Sequence, residues 1–244
     1  MNKKYDIESA ILKNCIVAKD TIAMEFHAPQ IAQNVLPGQF VMVETPTKFL
    51  RRPLSVAGVD GNRITLIIRK VGEGTKILTS LRRNTRLKML GPLGNSFPKI
   101  DGRKILVAGG IGIAPLLLYA NCFPKNSDFV YGEKNSEYLL DENYLPKNIK
   151  ISTDDGSRGF AGNACDLSRT LEHAPILACG PEPMLAEVIN IAAEWNVPAF
   201  VSLESRMACG FGVCNGCAIE TTQGFKKICT DGPVFPAEIL ILSI

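Results

Sequence analysis

The sequence predicts a β plus α/β protein: an antiparallel β-barrel, then a parallel-sheet α/β domain, then a C-terminal segment built around thiols. Three observations carry this. Short alternating or apolar runs broken by turn signals continue to about residue 98. Strands then alternate with helices to about residue 202. Finally, Cys209, Cys214, Cys217 and Cys229 follow the spacing C-x4-C-x2-C-x11-C. The expected divisions are therefore 1–98, 99–202 and 203–244.

In the first region the expected strands are Lys13–Ala18, Ile22–His27, Gln39–Glu44, Arg63–Arg69 and Arg86–Leu90, punctuated at Pro37-Gly38, Asp60-Gly61-Asn62 and Gly91-Pro92. Several short strands at this rhythm read as a barrel. Arg52-Pro53-Leu54-Ser55 stands out within it. A guanidinium donates in pairs to phosphate, Pro53 stiffens the backbone, and Ser55 offers a hydroxyl able to reach a flavin ring nitrogen. The ordinary alternative is a surface arginine before a strand. Gly72-Glu73-Gly74-Thr75 reads as a turn whose amides and Thr75 hydroxyl suit phosphate, or simply as a barrel corner.

The second region gives strands at Lys104–Ala108, Phe129–Gly132, Ile149–Thr153, Ile176–Cys179 and Ala199–Leu203, with helices at Ala114–Asn121 and Pro183–Trp195. Two strand ends run into glycine: Gly109-Gly110-Ile111-Gly112-Ile113-Ala114-Pro115 and Cys179-Gly180-Pro181. Glycine lets a pyrophosphate approach the backbone, and a helix N-terminus supplies amides and partial positive charge. Pro115 falls in the first turn, where its missing N–H is harmless. Two such turns on one small sheet argue for a dinucleotide across its top.

The cysteine spacing is that of a plant-type [2Fe–2S] ligand set, with three thiolates on one glycine-rich loop and the fourth arriving later. A four-cysteine zinc site is the main rival, but zinc ribbons present two C-x2-C knuckles and only Cys214 and Cys217 form one here. A disulfide framework suits a short secreted domain, not this chain of 244 residues. Cys15, Cys122 and Cys165 are scattered, with the default role of small buried hydrophobes, as is Cys179.

Composition narrows the function classes. Hydrophobic residues make up 46% and charged residues 21%, ordinary values for a globular enzyme component. A net charge of +3, with Lys and Arg dispersed, argues against nucleic acid. No run approaches a membrane span, and the opening MNKKYDIESAILKN has no apolar signal core, so neither a membrane nor secretion is expected. Many thiols beside an iron–sulfur site point to a reducing compartment, the cytoplasm.

In order, Arg-Pro-Leu-Ser, Gly-Glu-Gly-Thr, Gly-Gly-Ile-Gly-Ile-Ala-Pro and Cys-Gly-Pro run from Arg52 to Pro181. This series resembles the ferredoxin reductase flavoprotein superfamily. Ser202-Leu-Glu-Ser-Arg-Met-Ala-Cys209, followed by Gly-Phe-Gly-Val-Cys-Asn-Gly-Cys217, is similar to the electron-transfer subunits of class 1B, NAD-dependent dihydroorotate dehydrogenases. The resemblance covers nearly the whole chain. It implies FAD contacts at Arg52, Pro53, Leu54, Ser55, Ile67, Ile68, Arg69, Gly74 and Thr75. It implies NAD(H) contacts at Gly110, Gly112, Ala114, Pro115, Cys179, Gly180 and Pro181. It assigns the [2Fe–2S] cluster to Cys209, Cys214, Cys217 and Cys229. Asp155-Gly156-Ser157 resembles a further family loop.

The same resemblance implies an FMN-containing catalytic subunit as partner, two of each chain per complex, and electron transfer between NADH and dihydroorotate chemistry in pyrimidine synthesis. It places no catalytic acid or base for that substrate on this chain. The aromatic residue that ends simple ferredoxin reductases is replaced by the cluster segment. After the second sheet strand, Glu133 offers a carboxylate to a ribose diol, whereas the adjacent Lys134 would favour a 2′-phosphate, so the residues leave the choice of NADH open. The tail Phe235–Ile244 reads as a strand on the chain's own core, or as a docking strand. An exposed apolar patch is expected around the cysteine loop. Two other readings stand beside the first: a related flavin and iron–sulfur subunit of a hydrogenase or bifurcating ferredoxin reductase, and a zinc-stabilised binding protein on the same scaffold.

Overall fold

A computed structural model describes residues 3–241; residues 242–244 of the tail and the first two residues lie outside that range. Six antiparallel strands close a barrel: β1 (Tyr5–Ala18), β2 (Thr21–His27), β3 (Phe40–Val43), β4 (Arg52–Asp60), β5 (Arg63–Arg69) and β6 (Arg86–Leu93). Their order around the barrel is β1-β2-β5-β4-β3-β6. β1 starts well before the expected Lys13. Its first half pairs with β6 and its second with β2, across an irregularity between Ile11 and Lys13. Such a bulge bends a strand and lets one long element serve two neighbours, which closes the barrel.

Alternation fills the barrel. On β5, Ile64, Leu66 and Ile68 point inward with Met24, Phe26, Val56 and Met89. β3 is buried on both faces. Val41 and Val43 fill the barrel, while Phe40 and Met42 join a second core containing Met207, Cys217 and Cys229. That double burial explains why Phe-Val-Met-Val reads as an unbroken apolar run.

A short helix α1 (Pro29–Ala32) follows β2, and a helix α2 (Glu73–Ser80) connects β5 to β6. The expected Gly72–Thr75 turn is thus the start of α2. Thr75 is its third residue, and its hydroxyl accepts from the Val71 and Gly72 amides at 2.9 and 3.1 Å. Four side chains on the next turn, with Leu78 buried, prolong the corner into a helix.

Beyond the barrel, β7 (Lys104–Gly109), β8 (Ser127–Glu133), β9 (Lys150–Thr153), β10 (Phe160–Ala161), β11 (Ile176–Cys179) and β12 (Ala199–Ser202) form a parallel sheet in the order β10-β9-β8-β7-β11-β12. Helices α3 (Ile113–Cys122), α4 (Ala164–Ser168) and α5 (Glu182–Trp195) cover it. α3 is almost wholly buried, because Leu116, Leu117 and Tyr119 pack with barrel residues Ala57 and Ile67 as well as with the sheet. Barrel and sheet therefore share one apolar core.

The final segment has a two-residue hairpin, β13 (Ala218–Ile219) with β14 (Lys226–Lys227), and then β15 (Val234–Pro236). β15 pairs antiparallel with β12 and becomes the seventh strand of the sheet. Within the described residues the tail thus lies on the chain's own core, and Val234 and Phe235 are buried there. The scattered cysteines do not all share one environment. Cys165 and Cys179 are buried as expected, Cys15 is half-buried and Cys122 is exposed. The exposure of Cys122 follows from its place at the last residue of α3, where the helix leaves the core.

Candidate cofactor clefts and thiol site

A cleft of about 180 Å³ lies between barrel and sheet, lined by Pro53, Leu54 and Ser55 from β4, Ile67, Ile68 and Arg69 from β5, and Thr75 and Ala114. All of these are among the expected site residues, and strand ends of the barrel bring them together. Arg52 stands just beyond, where its Nη1 donates to the Leu50 carbonyl at 2.6 Å. Its guanidinium lies directly over Gly74, so that a Cβ there would collide with Nε. Arg52 is thereby laid against the N-terminus of α2, so that an arginine fork and the first-turn amides of a helix stand side by side. That arrangement fits the diphosphate of a flavin dinucleotide, with the apolar Leu54 and Ile67 side facing its ring system.

A second cleft, of about 600 Å³, adjoins the first and is lined by Gly109 to Gly112, Gly180 and Pro181. Gly110 adopts φ +57°, a conformation that glycine enters without strain. Both turns lie at the carboxyl ends of parallel strands, where open α/β sheets bind nucleotides. Pro115 and Cys179 sit beneath the turns, fully within the core. Burial, together with Glu204 nearby, pushes the Cys179 thiol well up. A third cleft, of about 350 Å³, continues past Gly132, Lys134, Tyr138, Asp154 and Asn163.

Glu133 also lines this third cleft, but its carboxylate is already engaged by protein. It is turned inward and nearly inaccessible, where Arg69 donates to Oε1 at 2.5 Å and to Oε2 at 3.3 Å, and Tyr131 donates to Oε1 at 3.0 Å. The fork–carboxylate pair in a dry setting outcompetes an exposed position for that side chain. Lys134 Nζ lies 3.8 Å from the Tyr138 ring centroid, a cation over an aromatic face.

The four cysteines fall in two pairs. Cys209 and Cys214 interact through the loop between them, and Cys217 and Cys229 lie together in the core, where the Cys229 amide donates to the Cys217 sulfur at 3.5 Å. Burial raises the Cys209 thiol, but hydrogen bonds from the Cys214, Phe211 and Val213 amides outweigh it and hold the group down to about 6. Cys229 is pushed up to about 12 by burial and by Cys217 beside it. A dinuclear cluster takes two thiolates at each iron, which a pair on the loop and a pair in the core can supply. The donor set therefore fits [2Fe–2S]. Phe211 and Val213 on the loop, with Phe225 nearby in sequence, are exposed, as expected of an apolar rim.

The residues that sequence reasoning left without a role are Phe40 and the stretch Ser202 to Ser205 with Met207, all lining the first cleft. Their signal was positional: the stretch follows the carboxyl end of β12, a place where ligands gather. Glu204 is the carboxylate shared by the first two clefts. It opens to cleft water, yet surrounding protein raises it above the ordinary carboxylate range.

Residues 204–241 match the model of the iron–sulfur cluster binding domain of dihydroorotate dehydrogenase B, and residues 9–97 match the oxidoreductase FAD-binding domain. A relative from Clostridium acetobutylicum, the electron transfer subunit of dihydroorotate dehydrogenase B (NAD(+)), is 38% identical over 100% of both chains.

The chain belongs to the family of dihydroorotate dehydrogenase B electron transfer subunits.

The relative of the same name from Geobacillus kaustophilus is 35% identical, over 93% of this chain and 95% of its own. Among solved structures, a chain of the NADH-dependent reduced ferredoxin-NADP oxidoreductase, described for flavin-based electron bifurcation, superposes with TM-score 0.85 at 27% identity, over 95% of this chain and 89% of that one. Phthalate dioxygenase reductase shares the fold at TM-score 0.63 and 18% identity, over 92% and 94% of the two chains. As a family member the chain is an oxidoreductase component that uses FAD, an iron–sulfur cluster and NAD(H). No helix of the described residues is long and apolar enough to cross a membrane.

Proposed function

We propose that this chain carries electrons between NAD(H) at the glycine turns and an FMN-containing catalytic subunit, by way of FAD in the first cleft and [2Fe–2S] at Cys209, Cys214, Cys217 and Cys229. The partner interconverts dihydroorotate and orotate, two copies of each chain assemble, and the complex works in the cytoplasm. One observation carries the reading. The first cleft opens onto the Gly110 and Gly180 turns on one side and, through Phe40 and Met207, borders the core that holds Cys217 and Cys229 on the other.

Bound FAD supplies the exchange between paired electrons from a nicotinamide and single electrons for a cluster. The chain's residues do the rest. Arg52 and the α2 amides hold the diphosphate, and Leu54, Ile67 and Met207 exclude water from the ring. The Ser55 hydroxyl is placed to donate to or accept from a ring nitrogen. The Gly110 to Gly112 and Gly180 turns bring the second dinucleotide against the first. The paired thiolates leave Cys214 on the exposed side, toward an acceptor.

The likeness to the bifurcating oxidoreductase supports a second reading, in which the same cofactors feed a different partner. Anaerobic absorption of the purified chain before and after NADH, with flavin and iron quantified, tests the cofactors. One FAD, two irons and bleaching of both bands are expected. A colourless zinc protein that ignores NADH would overturn the proposal. Co-purification then decides between partners, and recovery with a dihydroorotate-oxidising subunit is the expected result.

A further inference from the structure

Arg69 is the side chain common to all three clefts. It ends β5 of the barrel, and its charge is held by β8 of the sheet through Glu133. Nε donates to Thr21 Oγ1 at 3.1 Å, and Nη2 donates to Glu133 Oε1 at 2.5 Å and to the Tyr138 carbonyl at 3.3 Å. Nη1 donates to Glu133 Oε2 at 3.3 Å. One N–H on Nη1 has no acceptor among the described residues. Nη1 lies 3.5 Å from where a Cβ of Gly110 would stand, so the spare donor borders the open space above the glycine turn. Glu133 Oε1 lies 4.0 Å from the same point.

We propose that Glu133 is a positioning counter-ion: it aims Arg69 at the dinucleotide pyrophosphate above Gly110 and offsets its charge, so that the nucleotide is held loosely enough to exchange. The inference rests on the dinucleotide reading of the second cleft. A phosphate there meets the spare N–H and the turn amides, but it also feels the Glu133 carboxylate behind the guanidinium. Like charges a few ångströms apart in a poorly solvated setting repel strongly enough to change affinity by an order of magnitude. Tyr131, whose hydroxyl donates to Glu133, keeps that carboxylate facing the barrel. Glu133 thus acts on the ligand by its charge and by holding Arg69, and touches no ribose.

Calorimetric titration of the FAD- and cluster-loaded chain with ADP-ribose tests this without turnover. Glu133→Gln keeps the shape and removes the charge, and should tighten ADP-ribose about tenfold. Arg69→Gln should weaken it about tenfold, and adding Glu133→Gln to Arg69→Gln should recover about tenfold, because the carboxylate repels the phosphate with or without the guanidinium. Glu133→Asp retracts the carboxylate while keeping its charge and should fall between wild type and Glu133→Gln. It serves also if the glutamine variant loses FAD. A contact from Glu133 to a ribose predicts the opposite sign, weaker binding in both Glu133 variants. Weakened or unchanged affinity in Glu133→Gln, or no recovery in the double variant, overturns the inference. Absence of ADP-ribose binding to the wild-type chain overturns the dinucleotide reading itself.

Discussion

Met42 of β3 lies so close over Gly210 of the cysteine loop that a Cβ on Gly210 would fall 2.5 Å from the Met42 Cγ. Phe40, two residues earlier on the same face of β3, lines the first cleft, where we place the flavin. Same-face neighbours on a strand stand about 7 Å apart. The barrel strand thus holds the cysteine loop and the flavin cleft at a short fixed separation, and the contact tolerates no side chain at Gly210.

Gly210→Ala is expected to disturb both that contact and a backbone held at φ +78°. The cost should be about 1–3 kcal/mol, from overpacking and from the left-handed conformation together. Iron per chain should fall while FAD content holds. Adding Met42→Ala should recover part of the melting temperature but not all of it, because the φ penalty remains. Thermal melts and iron-to-flavin ratios read both effects.

Gly74→Ala should displace Arg52 from the α2 N-terminus without disturbing the barrel core. Charge-assisted hydrogen bonds to phosphate contribute about 1.5–3 kcal/mol, so FAD affinity should fall about tenfold or more. Arg52→Ala should do the same. Fluorescence titration of the FAD-stripped chain checks both, and unchanged affinity in either would place the diphosphate elsewhere.

Glu204 gives a pH signature. The protein walls of its cleft raise its carboxyl from an ordinary value of 4.5 although the side chain reaches solvent, so between that value and the raised one the folded chain binds more protons than the unfolded chain. Stability contributed by this group is therefore full below 4.5 and is lost as pH rises through the folded value. Glu204→Gln should raise the melting temperature at neutral pH and leave it nearly unchanged in acid. Melts of the purified chain from pH 4 to 8 give the comparison, and a shift that does not vary with pH would contradict the assignment.

The exposed Phe211 and Val213 should matter to the catalytic subunit and not to the chain's own cofactors. Val213→Asp places a charge on a side chain that is 73% exposed. Co-purification of the catalytic subunit should drop sharply, because a buried unpaired charge at an interface is costly. NADH-driven reduction of a small one-electron acceptor should persist at the wild-type rate.

Much of this was legible in the residues. β5, β7 and β11 are apolar runs between turns, and burial fixes them as strands whatever surrounds them. The cysteine spacing named its cluster because ligand geometry is local to one loop. The helix at Glu73–Ser80 was harder to see, since Gly72 to Thr75 has turn chemistry and only the capping of Val71 and Gly72 by Thr75 makes it a helix start. A strand in the tail was legible from its apolar run, but its pairing with β12 was not, because that is a long-range contact.

The sequence by itself determined the order of barrel, sheet and thiol loop and the glycine turns, because each depends on residues close together in the chain. Only the tertiary structure decided that Glu133 pairs with Arg69, that Glu204 and Ser202 enter the first cleft, and that Met42 braces Gly210. Those pairings join residues 64 positions apart or more, and the shared core of barrel and sheet sets them, through burial and charge that no local pattern encodes.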